Sequence, residues 1–82
     1  MYSVYILQSQ KDRSYYIGQT SNIADRIKRH NEGRVKSTKL KRPWELVFYE
    51  EFSTRNESMH REKQIKSYKG GEAFRKLFNS SC

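Results

Sequence analysis

The sequence has 82 residues, room for one domain and little more, and it carries a formal net charge of +8. Its one cysteine, Cys82, rules out an internal disulfide and a cysteine-ligated cluster, and no apolar run approaches the ~20 residues of a membrane span. Hydrophobic residues make up only 34% of the chain, yet they fall in short patterned runs with eleven aromatics among them, so the composition is that of a small folded domain with a polyanionic partner, nucleic acid before membrane.

Residues 2–8 are rich in β-branched and aromatic side chains and predict a strand. Residues 10–14 are polar and turn-like, and 15–19 predict a second strand pairing antiparallel with the first. Thr20, Ser21 and Asn22 offer N-cap side chains for a helix over about 22–32, with Ile23 and Ile27 four apart and Gly33 at its stop. A basic loop over 34–43 ends at Pro43, and 44–52 predict a third strand. Thr54 and Glu57 form a capping box opening a helix that runs to about Tyr68 and ends at Gly70-Gly71. A last helix over 72–78 carries Ala73, Phe74, Leu77 and Phe78 at helical spacing. The expected class is α+β, with a small three-stranded antiparallel sheet covered by about three helices in the order β-β-α-β-α-α. Met1 leads straight into the first strand, which reads as a chain without a signal peptide, and the lone cysteine fits a reducing cytoplasm. Residues 1–82 are expected to form one domain.

Several residues stand where packing alone would not put them. Glu62 lies three residues from both Met59 and Ile65, within the apolar stripe of its helix, where a desolvated carboxylate needs a cation or donors. It either meets such a cation or donors at a functional site, or is half of a structural ion pair, or is a glutamate at the stripe's edge. Arg26 and His30 share a face bordering the Ile23/Ile27 stripe, which suits phosphate binding but is also how a solvated basic face looks. Tyr16 and Gly18 share one strand face, and Tyr5 lies opposite Val4 and Ile6. Each tyrosine taken alone reads as a core aromatic. Gly18 inside a strand leaves room for another backbone or a ligand. An arginine, an imidazole, two phenols and a carboxylate together meet the needs of phosphodiester hydrolysis. Only Asp25 and Glu32 lie near enough in sequence to neutralise Arg26.

With Ser3-Val4-Tyr5, Tyr16-Ile17-Gly18, Arg26, His30 four residues later, and the segment His60-Arg61-Glu62-Lys63-Gln64-Ile65-Lys66, the sequence resembles the GIY-YIG nuclease family over about residues 2–78. Arg42-Pro43-Trp44-Glu45-Leu46-Val47 is similar to its small stand-alone bacterial members. Ser3 stands at the first family glycine, and Asn79 is the only asparagine after Glu62 to set against the family's.

The resemblance implies a metal-dependent endonuclease with catalytic Tyr5, Tyr16, Arg26, His30 and Glu62. Glu62 would hold Mg²⁺ or Mn²⁺ and Arg26 the phosphate. Tyr5 or Tyr16 would position or deprotonate the water, with His30 as an alternative base or a phosphate contact. DNA is expected before RNA, with little sequence specificity, and a role in repair or recombination follows from the same resemblance. The nucleic-acid surface is read from charge. Between Arg26 and Arg42 stand eight Lys/Arg against one acid, Glu32, which points to Arg29, Arg34, Lys36, Lys39, Lys41 and Arg42 as phosphate contacts. The competing expectations are a binding module of the same fold that lacks catalysis or takes it from a protein partner, and an interaction protein whose tyrosines and Glu62 are core.

Overall fold

The computed structural model describes residues 1–69 and 71–79, without the side chains of Phe78 and Asn79. Gly70, Cys82 and the Asn79 side chain therefore lie outside the described part. The elements are β1 (Tyr2–Ser9), β2 (Tyr15–Thr20), α1 (Ile23–Asn31), β3 (Trp44–Phe52), α2 (Arg55–Ser67) and α3 (Glu72–Asn79), with one 3₁₀ turn at Lys39–Lys41. The class and order are the expected α+β, β-β-α-β-α-α.

The sheet is antiparallel in the order β2-β1-β3, so the first strand is the middle one. A middle strand covered on both faces needs an unbroken apolar run, and Val4, Tyr5, Ile6 and Leu7 are all fully buried. On one face Val4 and Ile6 pack with Ile65 of α2 and Phe74 of α3. On the other, Tyr5 and Leu7 pack with Trp44, and Ile23 and Ile27 of α1 close over them. A bulge between Ile6 and Leu7 sends both Val47 and Phe48 of β3 to the α2 face.

The local chemistry at the element ends is specific. Ser9 Oγ accepts from the amides of Lys11 and Asp12 and donates to the Lys41 carbonyl at 2.7 Å, fixing the β1–β2 turn against the basic loop. Asn22 is the N-cap of α1, its side chain accepting from the Asp25 amide. At the other end of α1 the Asn31 side chain pairs with both backbone groups of Trp44, as a neighbouring strand would. Thr54 caps α2 through the Glu57 amide, and Glu57 accepts from the Thr54 hydroxyl. The left-handed residue that ends α2 is Lys69, φ 52°, one position before the expected Gly70-Gly71.

One expectation about α2 is corrected. Met59 is 40% exposed and does not belong to the stripe that faces the sheet. The buried positions are Ser58 and Ile65, two turns apart. A small residue lets the helix start come close, and the Ser58 hydroxyl donates to the Gln19 side chain at 2.9 Å and the Arg55 carbonyl at 2.7 Å. This rotates α2 so that Glu62 flanks the buried line, its side chain 20% exposed and paired with Lys66 at 2.9 Å.

Candidate active site

Tyr5 on β1 and Tyr16 on β2 reach the same face, where α1 delivers Arg26 and His30. The Tyr5 ring lies across Gly18, its cross-strand partner. A Cβ at Gly18 would stand 2.7 Å from the Tyr5 hydroxyl oxygen and 2.9 Å from Cζ. The space expected there for a backbone or ligand is thus filled by the Tyr5 phenol. Tyr16 closes the group from the side, its ring centroid 4.9 Å from His30 and 6.3 Å from Tyr5.

His30 is fully buried in this arrangement. Its two nitrogens join Tyr5 to the basic loop. Nε2 lies 3.1 Å from the Tyr5 hydroxyl, and Nδ1 lies 2.8 Å from Thr38 Oγ1. Proton positions follow from the neighbours. Arg26, beside the Tyr5 oxygen, has only donors, and the tautomer in which the Tyr5 hydroxyl donates to Nε2 satisfies both groups. Nδ1–H then donates to Thr38, whose hydroxyl donates on to the Val35 carbonyl at 3.3 Å. Burial, and after it the Arg26 charge, hold the His30 pKa below its ordinary value, which keeps this imidazole neutral and able to accept.

Burial likewise pushes the Tyr5 phenol above its ordinary pKa. The Arg26 guanidinium pulls it back by hydrogen bonding and charge, while Tyr16 and Glu62 push it up. The Glu62 effect places that carboxylate within electrostatic reach of the Tyr5 oxygen, although α2 packs on the other face of the sheet. Arg26 has no ion-pair partner among the described residues. Asp25 pairs with Arg29 at 3.1 Å, and Glu32 pairs with Arg34 at 3.1 Å, which uses up both neighbouring carboxylates. The Arg26 Nε is buried with no hydrogen-bond partner among the described residues. An unsatisfied buried guanidinium N–H calls for an acceptor oxygen.

Beyond Arg26, at the Tyr2 and Thr20 end of the sheet, a polar hollow of about 240 Å³ is lined by Tyr2, Gln19, Thr20, Ser21, Arg26 and Arg55. Two larger hollows run along α2 past Asn56 and His60, away from the tyrosines. Among the described residues no three His, Cys, Asp or Glu side chains gather as a metal cage. Of the expected site residues Glu62 alone offers a carboxylate for a hard ion; it is paired with Lys66, and a single carboxylate suits an ion that keeps most of its waters.

The expected nucleic-acid contacts are all exposed. They divide into Arg29, Arg34 and Lys41, each paired with an acid, the last with Asp12 at 3.5 Å, and Lys36, Lys39 and Arg42, which have no ion pair among the described residues. The Arg42 guanidinium lies over Gly33, whose φ of +79° leaves its Cβ position to that side chain. Thr38 and Arg55 were not among the expected site residues. A threonine in a basic loop and an arginine opening a helix carry no pattern that marks them.

Comparison with known proteins gives the same answer from another direction. A family model described as the GIY-YIG catalytic domain matches residues 1–73. UPF0213 protein SH2523 of Staphylococcus haemolyticus is 47% identical over 66 residues, 79% of each chain. UPF0213 protein YazA of Bacillus subtilis is 47% identical over 57 residues, 68% of this chain and 58% of its own. The solution NMR structure of UPF0213 protein BH0048 from Bacillus halodurans superposes with a TM-score of 0.56 at 32% identity, covering 98% of this chain and 84% of that one. The family implies nuclease-type chemistry on nucleic acid, generally with a divalent metal ion. With tyrosines, arginine and histidine brought together on this fold, the chain belongs to the GIY-YIG family, beside the small UPF0213 proteins.

Proposed function

We propose that the protein is a Mg²⁺- or Mn²⁺-dependent endonuclease of the GIY-YIG type that cuts DNA with little sequence specificity, in repair or recombination, and that residues 1–82 act as one domain. The observation that carries this reading is the Tyr5–His30–Arg26 arrangement: a phenol within hydrogen-bond distance of a buried imidazole, beside an arginine with no ion-pair partner among the described residues.

A phenol with a raised pKa is a poor base by itself. Donation to His30 Nε2 changes that. As water attacks phosphorus, its proton passes to the Tyr5 oxygen while the Tyr5 proton passes to Nε2. The imidazolium formed keeps its Nδ1–H on Thr38. Arg26 binds a non-bridging oxygen, satisfies its own Nε, and stabilises the charge that builds in the transition state. The P–O bond to the 3′ oxygen breaks. Glu62 would hold the metal ion, which would supply neutralisation of that leaving oxygen. Tyr16 buttresses the imidazole and presents its own phenol beside it. Lys36, Lys39 and Arg42 hold the backbone, and Arg29, Arg34 and Lys41 add to the same field.

A second reading, a DNA-binding module that lacks catalysis or takes it from a protein partner, is favoured by one observation. Tyr5 is fully enclosed, so the site must open before substrate reaches it. Incubation with a panel of DNA and RNA structures, with and without Mg²⁺ or Mn²⁺, decides between them. Cleavage that requires metal and disappears in Glu62→Gln supports the nuclease. Binding with no cleavage on any structure supports the module.

A further inference from the structure

The hollow at the Tyr2 and Thr20 end of the sheet holds neither Tyr5 nor Glu62, and its lining is chemically one-sided. Among the described residues no carboxylate lines it. Arg26 enters from α1 and Arg55 from the first position of α2, and neither has an ion-pair partner within 4.0 Å among the described residues. Gln19 spends its side-chain oxygen accepting from Ser58, which leaves its amide N–H groups as what it can offer the hollow. Ser21 and Tyr2 add hydroxyls. Two arginines, an amide and hydroxyls around a space of about 240 Å³ form a surface for an oxyanion, and one of the two, Arg26, has a buried Nε with no hydrogen-bond partner among the described residues.

We propose that this hollow is a second phosphate subsite, in which Arg55, together with Arg26, holds another phosphodiester of the strand being cut. The proposal rests on the nuclease reading above for which strand is held. Spacing supports it. Arg55 and Glu62 are seven residues apart on α2 and share one azimuth, about 10 Å along the axis. That span is longer than one phosphate group, so the two side chains reach different phosphates of one strand. Arg26 stands at both places, beside the Tyr5 hydroxyl and in the lining of the hollow, and its planar fork offers donors to two phosphates at once.

The test compares two metal-free ligands by calorimetry, a thymidylyl dinucleotide with one phosphodiester and a short oligothymidylate with several. Arg55 is exposed, so Arg55→Gln leaves the fold intact, and its spectrum is checked against wild type. The wild type is expected to bind the oligomer tighter than the dinucleotide, and Arg55→Gln to lose about tenfold of that advantage with dinucleotide affinity unchanged. The salt slope for the oligomer should fall by about 0.7. An unchanged advantage and slope in Arg55→Gln, or no advantage in the wild type, overturns the subsite. Metal-dependent cleavage is measured separately on wild type and Glu62→Gln. The subsite can thus fail while cleavage stands, and cleavage can fail while the subsite stands.

Discussion

At Gly18 the absence of one methyl group decides where Tyr5 can lie. Gly18→Ala should displace the phenol, costing about 1–3 kcal/mol in melting experiments and, for a shift of about 1 Å, roughly a hundredfold in cleavage rate. A circular-dichroism melt and a single-turnover assay on the same preparation check both. Thr38 acts at one remove. Thr38→Val takes away the acceptor of His30 Nδ1–H and leaves a buried donor unpaired, at about 1–3 kcal/mol, whereas Thr38→Ser keeps the oxygen and should behave as wild type. The pH–rate profile separates positioning from bulk: the valine variant should shift it and the serine variant should not. Tyr5, Tyr16, Arg26 and His30 were legible in the sequence because motif spacing and strand and helix periods place them. Thr38 was not, because its role depends on a loop folding back eight residues to meet an imidazole, and no period encodes that.

Among the elements, α2 is where sequence and structure part most. Periodicity put Met59, Glu62 and Ile65 on one stripe, but a serine hydroxyl bonded to β2 turned the helix instead. Polar residues that bury themselves through specific partners are invisible to a hydrophobic pattern. The rotated helix changes what Glu62 is worth to folding. Its partner Lys66 is 54% exposed, so the pair is of the surface kind, worth about 0.3–0.5 kcal/mol, and not a buried bridge. Glu62→Gln should therefore melt within about 4 °C of wild type while losing metal-dependent cleavage. A collapse of the fold would make Glu62 structural. The clamp from α1 to β3 is a stronger element contact. Asn31→Ala removes both side-chain bonds to Trp44 and should cost about 1–3 kcal/mol by denaturant titration, with no change in the salt dependence of DNA binding.

For the molecule as a whole, charge sets the behaviour. Lys36, Lys39 and Arg42 have no acids to leave, so neutralising the three should flatten the log–log salt slope on duplex DNA by about 2.7, at about 0.9 per phosphate contact. Neutralising Arg29, Arg34 and Lys41 should flatten it less, since each already has a carboxylate. Stability should also follow pH in two stages. The folded pKa of His30 is depressed, so the unfolded chain binds its proton first, and stability declines as pH falls below about 6.5. Asp12, held to about 2 chiefly by its hydrogen bond from the Ser14 hydroxyl, contributes stability that is present above about 4 and lost as pH falls through 2. Chemical denaturation across pH checks the order, and Asp12→Asn should remove only the lower stage.

The place of β1 between two strands that both follow it in sequence has a consequence for time. Its partner β3 begins 35 residues after it ends, so the pairing that encloses Val4 to Leu7 is among the most non-local in the molecule and opens only when the whole sheet does. Amide hydrogens there should exchange with deuterium at the rate of global unfolding, while those of Lys36 to Leu40, in a loop held by a few bonds, exchange far sooner. The hydroxyl proposed to start the reaction thus rides on the slowest-opening strand, and the lysines proposed to find the substrate ride on one of the quickest-opening segments.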